Sequence, residues 1–513
     1  MMGAADNVVQ RACLVSTKQD TGGASLAMLR LSDALRRSGM QVDVVSAKPI
    51  GEDDQDDLDE QLPEGDPFLK FLKFSRGATV AHRTDFSASP FTVHWPDCEI
   101  ELDGAIQDAE VVNIHWVSHF LSPRSIRKIG QLGKPILWTM HDQRAFTGGC
   151  HYSGGCRGFE STCKDCPQVS GTYQKIAEYQ LEDSKRMLRD LPVFFISPSQ
   201  WLADELRSSS FFNEGCHKVK VIPNSVDTDT FSPVADRAAI RAKYDIRDSD
   251  VCVLLLAHKT SDPRKGFDDI RRALQRVVVK LPGGQSRRLR VICCGASDFE
   301  VPNVELLHLG SVPSLELPAI MGACDVYLTM TLEDNLPNTV VESLSCGLPV
   351  IGTNVGGVPE MVKHGTNGWI VSAGDSEAVS KILTDLVGDK SILKRLSIAS
   401  REFALQEFSM KKQAEAYKEA MIESRLAWES WKGCEDLTKL AGREGITDIL
   451  LRHAVEKYRE KTEVNRELKA KVDGLREKLR EFRKRAEEPL TAKLYRRAFK
   501  EKGGPKSEGL NED

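Results

Sequence analysis

The sequence has no apolar run that approaches the roughly 20 residues that a helix needs to cross a bilayer. Its first apolar run, residues 12–15, is too short for a signal peptide and leads directly into a glycine turn. The formal net charge is only −5 over 513 residues, which provides no overall field for a polyanionic partner. We therefore expect a soluble, cytoplasmic protein that binds no nucleic acid.

Motifs of several other enzyme classes are also missing. The turn at Gly22 and Gly23 is not followed by Gly-Lys-Ser/Thr, so it is not a Walker loop, and it lacks the full G-x-G-x-x-G pattern of dinucleotide-binding proteins. No Asp-x-Asp pair stands at the end of a predicted strand, so we expect no catalytic metal. No solenoid-type repeat is visible.

The order of apolar segments predicts two α/β lobes. The chain is too long for one core, and 41% hydrophobic residues with 38 glycines are typical of a globular α/β protein. Two successive parallel-sheet patterns meet near residues 223–227, which predicts two Rossmann-like lobes that face each other across a cleft. The predicted strands are residues 12–16, 42–45, 111–114, 136–140, 193–197 and 219–222, then 251–257, 290–294, 326–330, 349–353 and 368–371.

The most informative segment contains two carboxylates eight positions apart, Asp334 and Glu342. Between them a turn at Pro337 opens a short apolar helix, and Gly347 with Pro349 closes it. The free N–H groups of such a helix N-terminus can hold a diphosphate, while carboxylates accept hydrogen bonds from sugar hydroxyls. The segment favours a sugar-nucleotide enzyme, but taken alone it fits equally well a surface helix with acidic ends.

A basic loop follows the first predicted strand of the second lobe. Lys259, Arg264 and Lys265 cluster where that strand ends and a helix opens, so they can neutralise a departing diphosphate. We expect Lys259 and Lys265 to face the ligand and Arg264 to point outward. The alternative is a solvated basic turn. The position of the loop, in register with the acidic segment three strands later, favours the ligand site.

Several further segments follow in a characteristic order over about residues 10–425. Together they resemble family 4 of the retaining GT-B glycosyltransferases, nearest to the branch used in colanic-acid-like exopolysaccharide and lipopolysaccharide assembly. The matching pieces are Gly22-Gly23, His115-Trp116, residues 138–142 (WTMHD), 146–153 (FTGGCHYS), 197–201 (SPSQW), 223–227 (PNSVD), 264–266 (RKG), 334–342 (DNLPNTVVE) and 356–360 (GGVPE).

The resemblance implies roles for individual residues. Asp334 would contact hydroxyls of the donor sugar, Glu342 the nucleotide ribose, and His141 the sugar near the reacting centre. The diphosphate would be held by the basic pair and the glycine turn. The residues implied as donor-binding are Gly22, Gly23, Lys259, Lys265, Asn335, Leu336, Pro337 and Asn338.

Two departures from the family pattern are visible. The first acid is Asp334 where glutamate is commoner, and the adjacent Glu333 could compete for its role. Lys259 stands where many relatives have arginine, and lysine offers a point charge without a bidentate fork. These changes suggest altered sugar specificity and a looser grip on the diphosphate.

The reaction implied by the resemblance is a hexosyltransferase-type transfer with retention at the anomeric carbon. The donor would be a UDP- or GDP-sugar, and the acceptor a glycan or lipid-linked glycan in polysaccharide biosynthesis. A glycogen-synthase-type polymerase is disfavoured because Lys-x-Gly-Gly is missing at the first turn. The alternatives are a GT-B-like epimerase and, outside catalysis, an inactive GT-B sugar-binding or scaffold protein.

Four of the 13 cysteines lie within 17 residues: Cys150, Cys156, Cys163 and Cys166. Four thiolates in a reducing compartment suit a closed, structural zinc site, with His151 as a substitute ligand. Unliganded or disulfide-bonded cysteines that brace the loop are an equal alternative, because the spacing does not form two close pairs.

The C-terminal part is rich in charge and predicts helix. From about residue 446 to 484 an apolar seam repeats at spacings of four and three, which suggests a coiled-coil-like helix that could form a homodimer. Residues 490–500 and 68–74 combine basic and apolar side chains and could make peripheral contact with a membrane, or be a solvated helix end and a core-facing helix respectively. The predicted division is 1–222 (acceptor lobe), 223–405 (nucleotide-sugar lobe), 406–430 (return helix onto the first lobe) and 431–513 (helical extension and tail).

Overall fold

The structure is a computed structural model. It describes residues 8–19, 22–47, 82–94, 99–171, 174–259, 262–277, 288–296, 299–302, 304–431 and Glu477. The predicted coiled-coil segment apart from Glu477, the basic segment 490–500 and the segment 68–74 lie outside the described residues. Among the described helices, none combines the length and the apolarity that spanning a membrane requires.

The first lobe is built on a parallel six-stranded sheet in the order β2-β1-β3-β4-β5-β6. Each predicted strand of this lobe is present within one or two residues. The strands are β1 (Arg11–Ser16), β2 (Gln41–Ser46), β3 (Val111–Ile114), β4 (Ile136–Thr139), β5 (Phe194–Ser197) and β6 (Lys218–Val221). The helices are α1 (Gly23–Arg37), α2 (Gly104–Asp108), α3 (Pro123–Gln131), α4 (Gln174–Leu188) and α5 (Gln200–Ser208).

The second lobe has its own parallel six-stranded sheet, in the order β12-β11-β10-β7-β8-β9. Its strands are β7 (Val251–Lys259), β8 (Leu289–Ala296), β9 (Glu305–Gly310), β10 (Val326–Leu328), β11 (Val350–Thr353) and β12 (Gly368–Val371). Its helices, with two that follow it, are α6 (Arg237–Lys243), α7 (Phe267–Gln275), α8 (Leu317–Ala323), α9 (Asn338–Ser345), α10 (Val358–Met361), α11 (Ser376–Gly388), α12 (Ile392–Glu407) and α13 (Met410–Glu429).

Strand β9 was missed by the sequence analysis. It forms the edge of the sheet, where it pairs only with β8 among the described strands. Its residues are partly buried or exposed and none is fully buried. Leu306 packs against one apolar cluster and Leu307 and Leu309 against the other, but all three are only partly buried, so this edge strand carries a weaker apolar signal than a central strand.

Both sheets are covered on both faces, which explains their nearly continuous apolar strands. Successive residues of β1 alternate between two cores: Cys13 and Val15 pack in one, and Ala12 and Leu14 in the other. The second sheet likewise separates two apolar clusters. Because the strands of each sheet are parallel, their carboxyl ends share one edge, where ligand-binding loops collect.

Helix α13 leaves the second lobe and packs on the first. It contributes to the core that contains Ala12 and Leu14 of β1, through Met410, Ala414, Tyr417 and Met421. The Tyr417 hydroxyl lies 3.0 Å from Oγ1 of Thr139, at the end of β4. The chain therefore crosses between the lobes twice, once after β6 and again through α13.

We predict that Tyr417→Ala lowers the free energy of unfolding by about 3–5 kcal/mol, since it removes a large side chain that is only 1% exposed. Tyr417→Phe should cost about 1 kcal/mol, because it removes only the hydrogen bond to Thr139. Chemical denaturation measures both values, with the exposed Glu415→Ala on the same helix as the control. Equal stability of Tyr417→Ala and Glu415→Ala would contradict the packing described for α13.

Candidate functional site

The loop before α9 lies against the first lobe. The Asn335 side chain donates from Nδ2 to the carbonyl oxygens of Met140, at 3.4 Å, and His141, at 3.3 Å. Its Oδ1 accepts a hydrogen bond from Ser199 Oγ at 2.6 Å. The acidic segment of the second lobe is therefore fixed against the ends of β4 and β5, where the first lobe presents His141.

Asp334 and Lys265 are in direct contact, as the sequence analysis requires. Lys265 Nζ donates to Asp334 Oδ2 at 2.8 Å. Asp334 is 9% exposed, and its charge is the main cause that raises the pKa of Lys265. The Lys265 side chain is 33% exposed, so the site presents a partly exposed cation beside an acid at the start of α9.

Glycines allow the loops around this pair to approach closely. Gly266 adopts φ 67° directly after Lys265, and a Cβ there would overlap the backbone of Met330. A Cβ on Gly356 would overlap the backbone of Asp334 in the same way. The glycines of the basic loop and of the 356–360 segment are thus required by the packing around the acid.

Arg264 does not point outward, so that expectation was wrong. Its guanidinium lies over the ring of Tyr152, 4.8 Å from the centroid, and it pairs with Asp262 at 3.0 Å. Tyr152 in turn directs its hydroxyl at Asp334 Oδ1, 3.5 Å away. The ring of Tyr152 attracts the Arg264 guanidinium by a cation–π interaction, which explains why the side chain points inward.

Glu333 does not share the position of Asp334. Its carboxylate accepts from the backbone N–H of Gly154 of the first lobe, at 3.0 Å and 3.3 Å. Burial raises the pKa of Glu333 above its ordinary value. Of the two adjacent acids, Asp334 is the one that faces Lys265.

Glu342, on the second turn of α9, is paired with a residue that the sequence analysis missed. Arg30 Nη2 on α1 donates to Glu342 Oε1 at 2.6 Å, and both side chains are buried, at 8% and 4% exposure. Arg30 stands seven residues after Gly23, two helical turns along α1, so it lies on the same face as the glycine turn. The seven-residue spacing from Gly23 could have identified Arg30 as a residue of the site. The sequence around Arg30 does not indicate that its partner is Glu342, 312 positions away.

The glycine turn also reaches the second lobe. Gly22 adopts φ 88° as the residue before α1, and the carbonyl oxygen of Gly23 accepts from Asn338 Nδ2 at 2.9 Å. Pro337 immediately precedes α9, and Leu336 is buried in one of the two apolar clusters of the second lobe. Lys259 ends β7, but its side chain lies outside the described residues.

His141 belongs to a chain of buried polar groups. Asn113 Nδ2 lies 3.0 Å from His115 Nε2, and His115 Nδ1 lies 3.0 Å from His141 Nε2. Thr139 Oγ1 donates to Asn113 Oδ1 at 3.0 Å and connects the chain to Tyr417. With the Asn113 amide nitrogen as donor, His115 donates from Nδ1 and His141 accepts at Nε2, so the proton of His141 is on Nδ1.

Burial lowers the pKa of His141 to about 4, so the ring is neutral at neutral pH. The pKa of His115 is also lowered, for the same reason and because His141 is adjacent. The pair therefore offers a neutral N–H donor at the end of β4. His115 and Asn113 were missed as functional residues, although His115 was part of a matching segment.

A second contact fixes the lobes together beside the site. The Glu360 carboxylate, at the start of α10, accepts from the backbone N–H groups of Gln200, at 2.7 Å, and Trp201, at 2.9 Å. These are the first two residues of α5, whose free N–H groups and positive dipole end favour an acid. We call this contact the Glu360 clamp.

The four clustered cysteines lie in one loop of the first lobe that carries Tyr152 and Gly154. Cys150, Cys163 and Cys166 are buried, and all four are free thiols. Three of them accept backbone hydrogen bonds: Cys156 from Gly158 N, Cys163 from Gly148, and Cys166 from Gln168 and Val169. The loop therefore supports the two first-lobe residues that touch Asp334 and Glu333.

As positioned, no three His, Cys, Asp or Glu side chains among the described residues converge closely enough to hold a metal ion. A zinc site would require the four thiols to draw together. His151 is engaged elsewhere, since Nδ1 contacts Asp142 at 2.6 Å and Nε2 contacts Thr92 at 3.0 Å. Burial raises the pKa of Cys150, Cys163 and Cys166, and the backbone N–H groups directed at Cys163 and Cys166 offset this only in part. We retain as a proposal the structural zinc held by the four cysteines, with free thiols that brace the loop as the alternative.

Two family models match the chain in succession. The model described as Glycosyltransferase Family 4 matches residues 21–230, over the first lobe. The model described as Glycosyl transferases group 1 matches residues 252–389, over the second lobe. Together the two matches cover more than half of the chain.

Curated relatives match over parts of their length. The chain is 31% identical over 198 residues to the GDP-mannose-dependent alpha-(1-6)-phosphatidylinositol monomannoside mannosyltransferase of Mycolicibacterium smegmatis, covering 36% of this chain and 51% of the relative. It is 24% identical over 302 residues to the putative colanic acid biosynthesis glycosyl transferase WcaC of Escherichia coli K12, covering 56% of this chain and 66% of the relative. The chain thus spans between about half and just under two thirds of these relatives.

Solved structures share the fold at low identity. Sucrose-phosphate synthase of Thermosynechococcus elongatus superposes with a TM-score of 0.54 and 17% identity, covering 82% of this chain and 100% of that one. Anabaena HepE, in complex with UDP and glucose, gives 0.50 and 16%, covering 81% and 100%. The predicted GT-B arrangement of two Rossmann-like lobes is confirmed.

We predict that the free energy of unfolding falls as the pH is lowered from about 6.5 to about 4. Burial lowers the pKa values of His94, His141 and His217 to about 4, while the unfolded chain takes up these protons near 6.5. Below 6.5 the unfolded state therefore binds more protons, and stability is lost. Chemical denaturation at several pH values measures this slope, and His217→Gln should make it shallower. A stability that is constant over this range would contradict neutral buried rings.

We expect about one equivalent of zinc per chain in protein purified without added metal. Elemental analysis measures it, and Cys156→Ser with Cys166→Ser should remove it because two of four ligands are lost. Cys216→Ser, outside the cluster, is the matched control. Less than half an equivalent in the wild-type protein would mean that the cysteines brace the loop as free thiols.

Proposed function

Because the chain belongs to the family 4 and group 1 glycosyltransferases, we propose that it transfers a hexosyl group from a nucleoside-diphosphate sugar. The acceptor is a glycan or lipid-linked glycan in polysaccharide biosynthesis, and the configuration at the anomeric carbon is retained. The observation that carries this proposal is the 2.8 Å contact between Lys265 and Asp334 at the N-terminus of α9. A cation for the diphosphate and an acid for the sugar stand side by side there.

The diphosphate lies against Lys265, the first N–H groups of α9 and the turn at Gly22 and Gly23. The helix dipole and the lysine both favour the negative charge that grows as the bond to the sugar breaks. Lys259 contributes a second cation at the end of β7. This arrangement supplies the charge that a metal ion supplies in other transferases, so we propose that transfer is metal-independent.

Asp334 and His141 position the sugar. The carboxylate accepts hydrogen bonds from sugar hydroxyls, and the neutral imidazole of His141 donates one from Nδ1. Glu342 lies further along α9, where it accepts from the ribose hydroxyls. Asp334 is in contact with Lys265, and Glu342 with Arg30. When the donor binds, contacts with the ligand must replace both of these contacts.

In the reaction the bond between the anomeric carbon and the diphosphate oxygen breaks, and the electron pair leaves with the diphosphate. The acceptor hydroxyl enters from the same face and gives its proton to a phosphate oxygen. The positive charge that develops on the sugar ring is compensated by the adjacent diphosphate and Asp334. This sequence of events requires no covalent enzyme intermediate.

The donor is a UDP- or GDP-sugar in this proposal. One neighbour in structure, Anabaena HepE, is a complex with UDP and glucose, and one relative in sequence is named GDP-mannose-dependent. A relative named for colanic acid biosynthesis supports a polysaccharide product. The eleven described cysteines are free thiols, which supports a reducing, cytoplasmic location.

An inactive sugar-binding or scaffold protein is the second candidate. It is favoured by the fact that both acids of the site already have cation partners, Lys265 and Arg30. An assay of nucleoside diphosphate release from common UDP- and GDP-sugars separates the two, since a pure binding protein releases none.

We predict that Lys265→Ala and Glu342→Gln each lower the rate of transfer by about 100-fold or more, because each removes a group that contacts the donor. Glutamine is preferred to alanine at 342, since alanine would leave the Arg30 guanidinium buried without a partner. Nucleoside diphosphate release measures the rate, and circular dichroism checks that the variants are folded.

Lys381→Ala and Glu377→Gln, both exposed on α11 of the same lobe, are matched controls and should turn over like the wild-type protein. Full activity in folded Lys265→Ala would place the diphosphate site elsewhere. Full activity in Glu342→Gln would remove Glu342 from the nucleotide site.

A further inference from the structure

We infer that Arg30, on α1 of the first lobe, is a further nucleotide-binding residue, which donates a hydrogen bond to a ribose hydroxyl that Glu342 contacts from the second lobe. The inference rests on the proposed function, because it deepens the nucleotide site of that same reaction. The observation that carries it is a guanidinium buried between the lobes, with one terminal nitrogen that has no hydrogen-bond partner in the part of the chain that the structure describes.

The Arg30 side chain makes one ionic and one aromatic contact. Its Nη2 donates to Glu342 Oε1 at 2.6 Å, and its guanidinium lies over the ring of Phe231, 5.3 Å from the centroid. Its Nη1 is buried and meets no acceptor among the described residues. A buried N–H group without an acceptor is costly, so one that lies between two lobes points to a ligand oxygen that completes it.

The aromatic ring beneath the Arg30 guanidinium is held by the second lobe. Phe231 is 3% exposed, and its carbonyl oxygen accepts from Ser345 Oγ at 2.6 Å and from Arg401 Nη1 at 2.9 Å. The cation–π contact adds to the attraction that keeps the guanidinium in this place. We therefore expect Arg30 to stay beside Glu342 when the nucleotide binds.

The pair lies next to the proposed diphosphate site. The first turns of α1 and α9 meet where Asn338 Nδ2 donates to the carbonyl oxygen of Gly23 at 2.9 Å. Glu342 follows Asn338 by four residues, which is about 6 Å along the helix axis. The ribose of a nucleoside diphosphate is bonded directly to the diphosphate, so a diphosphate held at the start of α9 brings the ribose toward Glu342 and Arg30.

A guanidinium and a carboxylate together match the chemistry of a ribose hydroxyl. A hydroxyl both donates and accepts, whereas ionised Glu342 only accepts and Arg30 only donates. Because the two side chains come from different lobes, a small parting of the lobes makes room for a hydroxyl that bridges them. If the ribose bound Glu342 alone, Arg30 would be left buried without an acceptor, which is strongly unfavourable.

Nucleotides that lack one ribose hydroxyl test this inference. UDP and GDP are compared with their 2′-deoxy and 3′-deoxy forms, each titrated against the full-length protein. The readout is the melting temperature, because a ligand that binds only the folded protein raises it with concentration, and the titration gives the affinity. The proteins are the wild type, Arg30→Lys, Glu342→Gln, the double variant Arg30→Met with Glu342→Gln, and the control Arg37→Lys.

We expect the wild-type protein to bind the ribonucleotide about ten-fold more tightly than at least one deoxy form, because the bridging hydroxyl makes two charge-assisted hydrogen bonds. Arg30→Lys keeps a positive charge beside Glu342 but loses the guanidinium fork, so this preference should fall to about three-fold or less. The affinity for that deoxy form should stay unchanged. Arg37 is exposed and stands two turns further along α1, so Arg37→Lys should keep the wild-type preference.

The double variant leaves neither charge buried alone, so it replaces Arg30→Lys if that protein does not fold, and its ribose preference should be smaller than that of Glu342→Gln. A variant of Arg30 that weakens the ribonucleotide and the deoxy forms by the same factor would make Arg30 a purely structural residue and overturn the inference. An unchanged preference, or none in the wild type, would overturn it too. If nucleotides bind in these cases, the proposed function stands and only the inference fails. If no nucleotide binds the wild-type protein, the proposed function itself fails and the inference fails with it.

Discussion

The contact between Lys265 and Asp334 is the constraint on which the site depends. The Asp334 carboxylate has lost most of its water, so it is stable there only while a cation remains beside it or a ligand replaces that partner. The surrounding backbone is arranged to keep them in place: Gly266 and Gly356 lack the Cβ atoms that would separate the loops. Tyr152 of the first lobe directs its hydroxyl at Asp334, and the Arg264 guanidinium of the second lobe lies over its ring.

Much of this organisation could be predicted from the sequence because it is local. The central strands are apolar on both faces, and the segment from Asp334 to Glu342 combines a turn, a helix start and two acids within nine residues. What could not be predicted is the pairing between lobes. Arg30 and Glu342 are 312 positions apart, and the position of Arg264 depends on an aromatic ring contributed by the other lobe. The edge strand β9 was missed because it lies at the edge of the sheet and none of its residues is fully buried.

The polar chain from Tyr417 to His141 shows how the return helix and the site are related. Tyr417 belongs to the core that joins α13 to the first lobe, and its hydroxyl is also the first member of the chain that orders Thr139, Asn113 and His115. A residue whose main contribution is packing therefore also influences which nitrogen of His141 carries the proton. The same side chain contributes to packing and to the hydrogen bonds that order His141, so we expect substitutions of Tyr417 to affect both.

The Glu360 clamp has a consequence for the timing of the proposed transfer. Under the proposed function, nucleotides enter and leave through the crevice between the lobes, which the clamp and the buried pair of Arg30 and Glu342 hold closed. Each opening exposes the first N–H groups of α5 to water and returns them to the carboxylate on closure. We therefore expect the rate at which the product nucleotide leaves to depend on how fast these contacts between the lobes open.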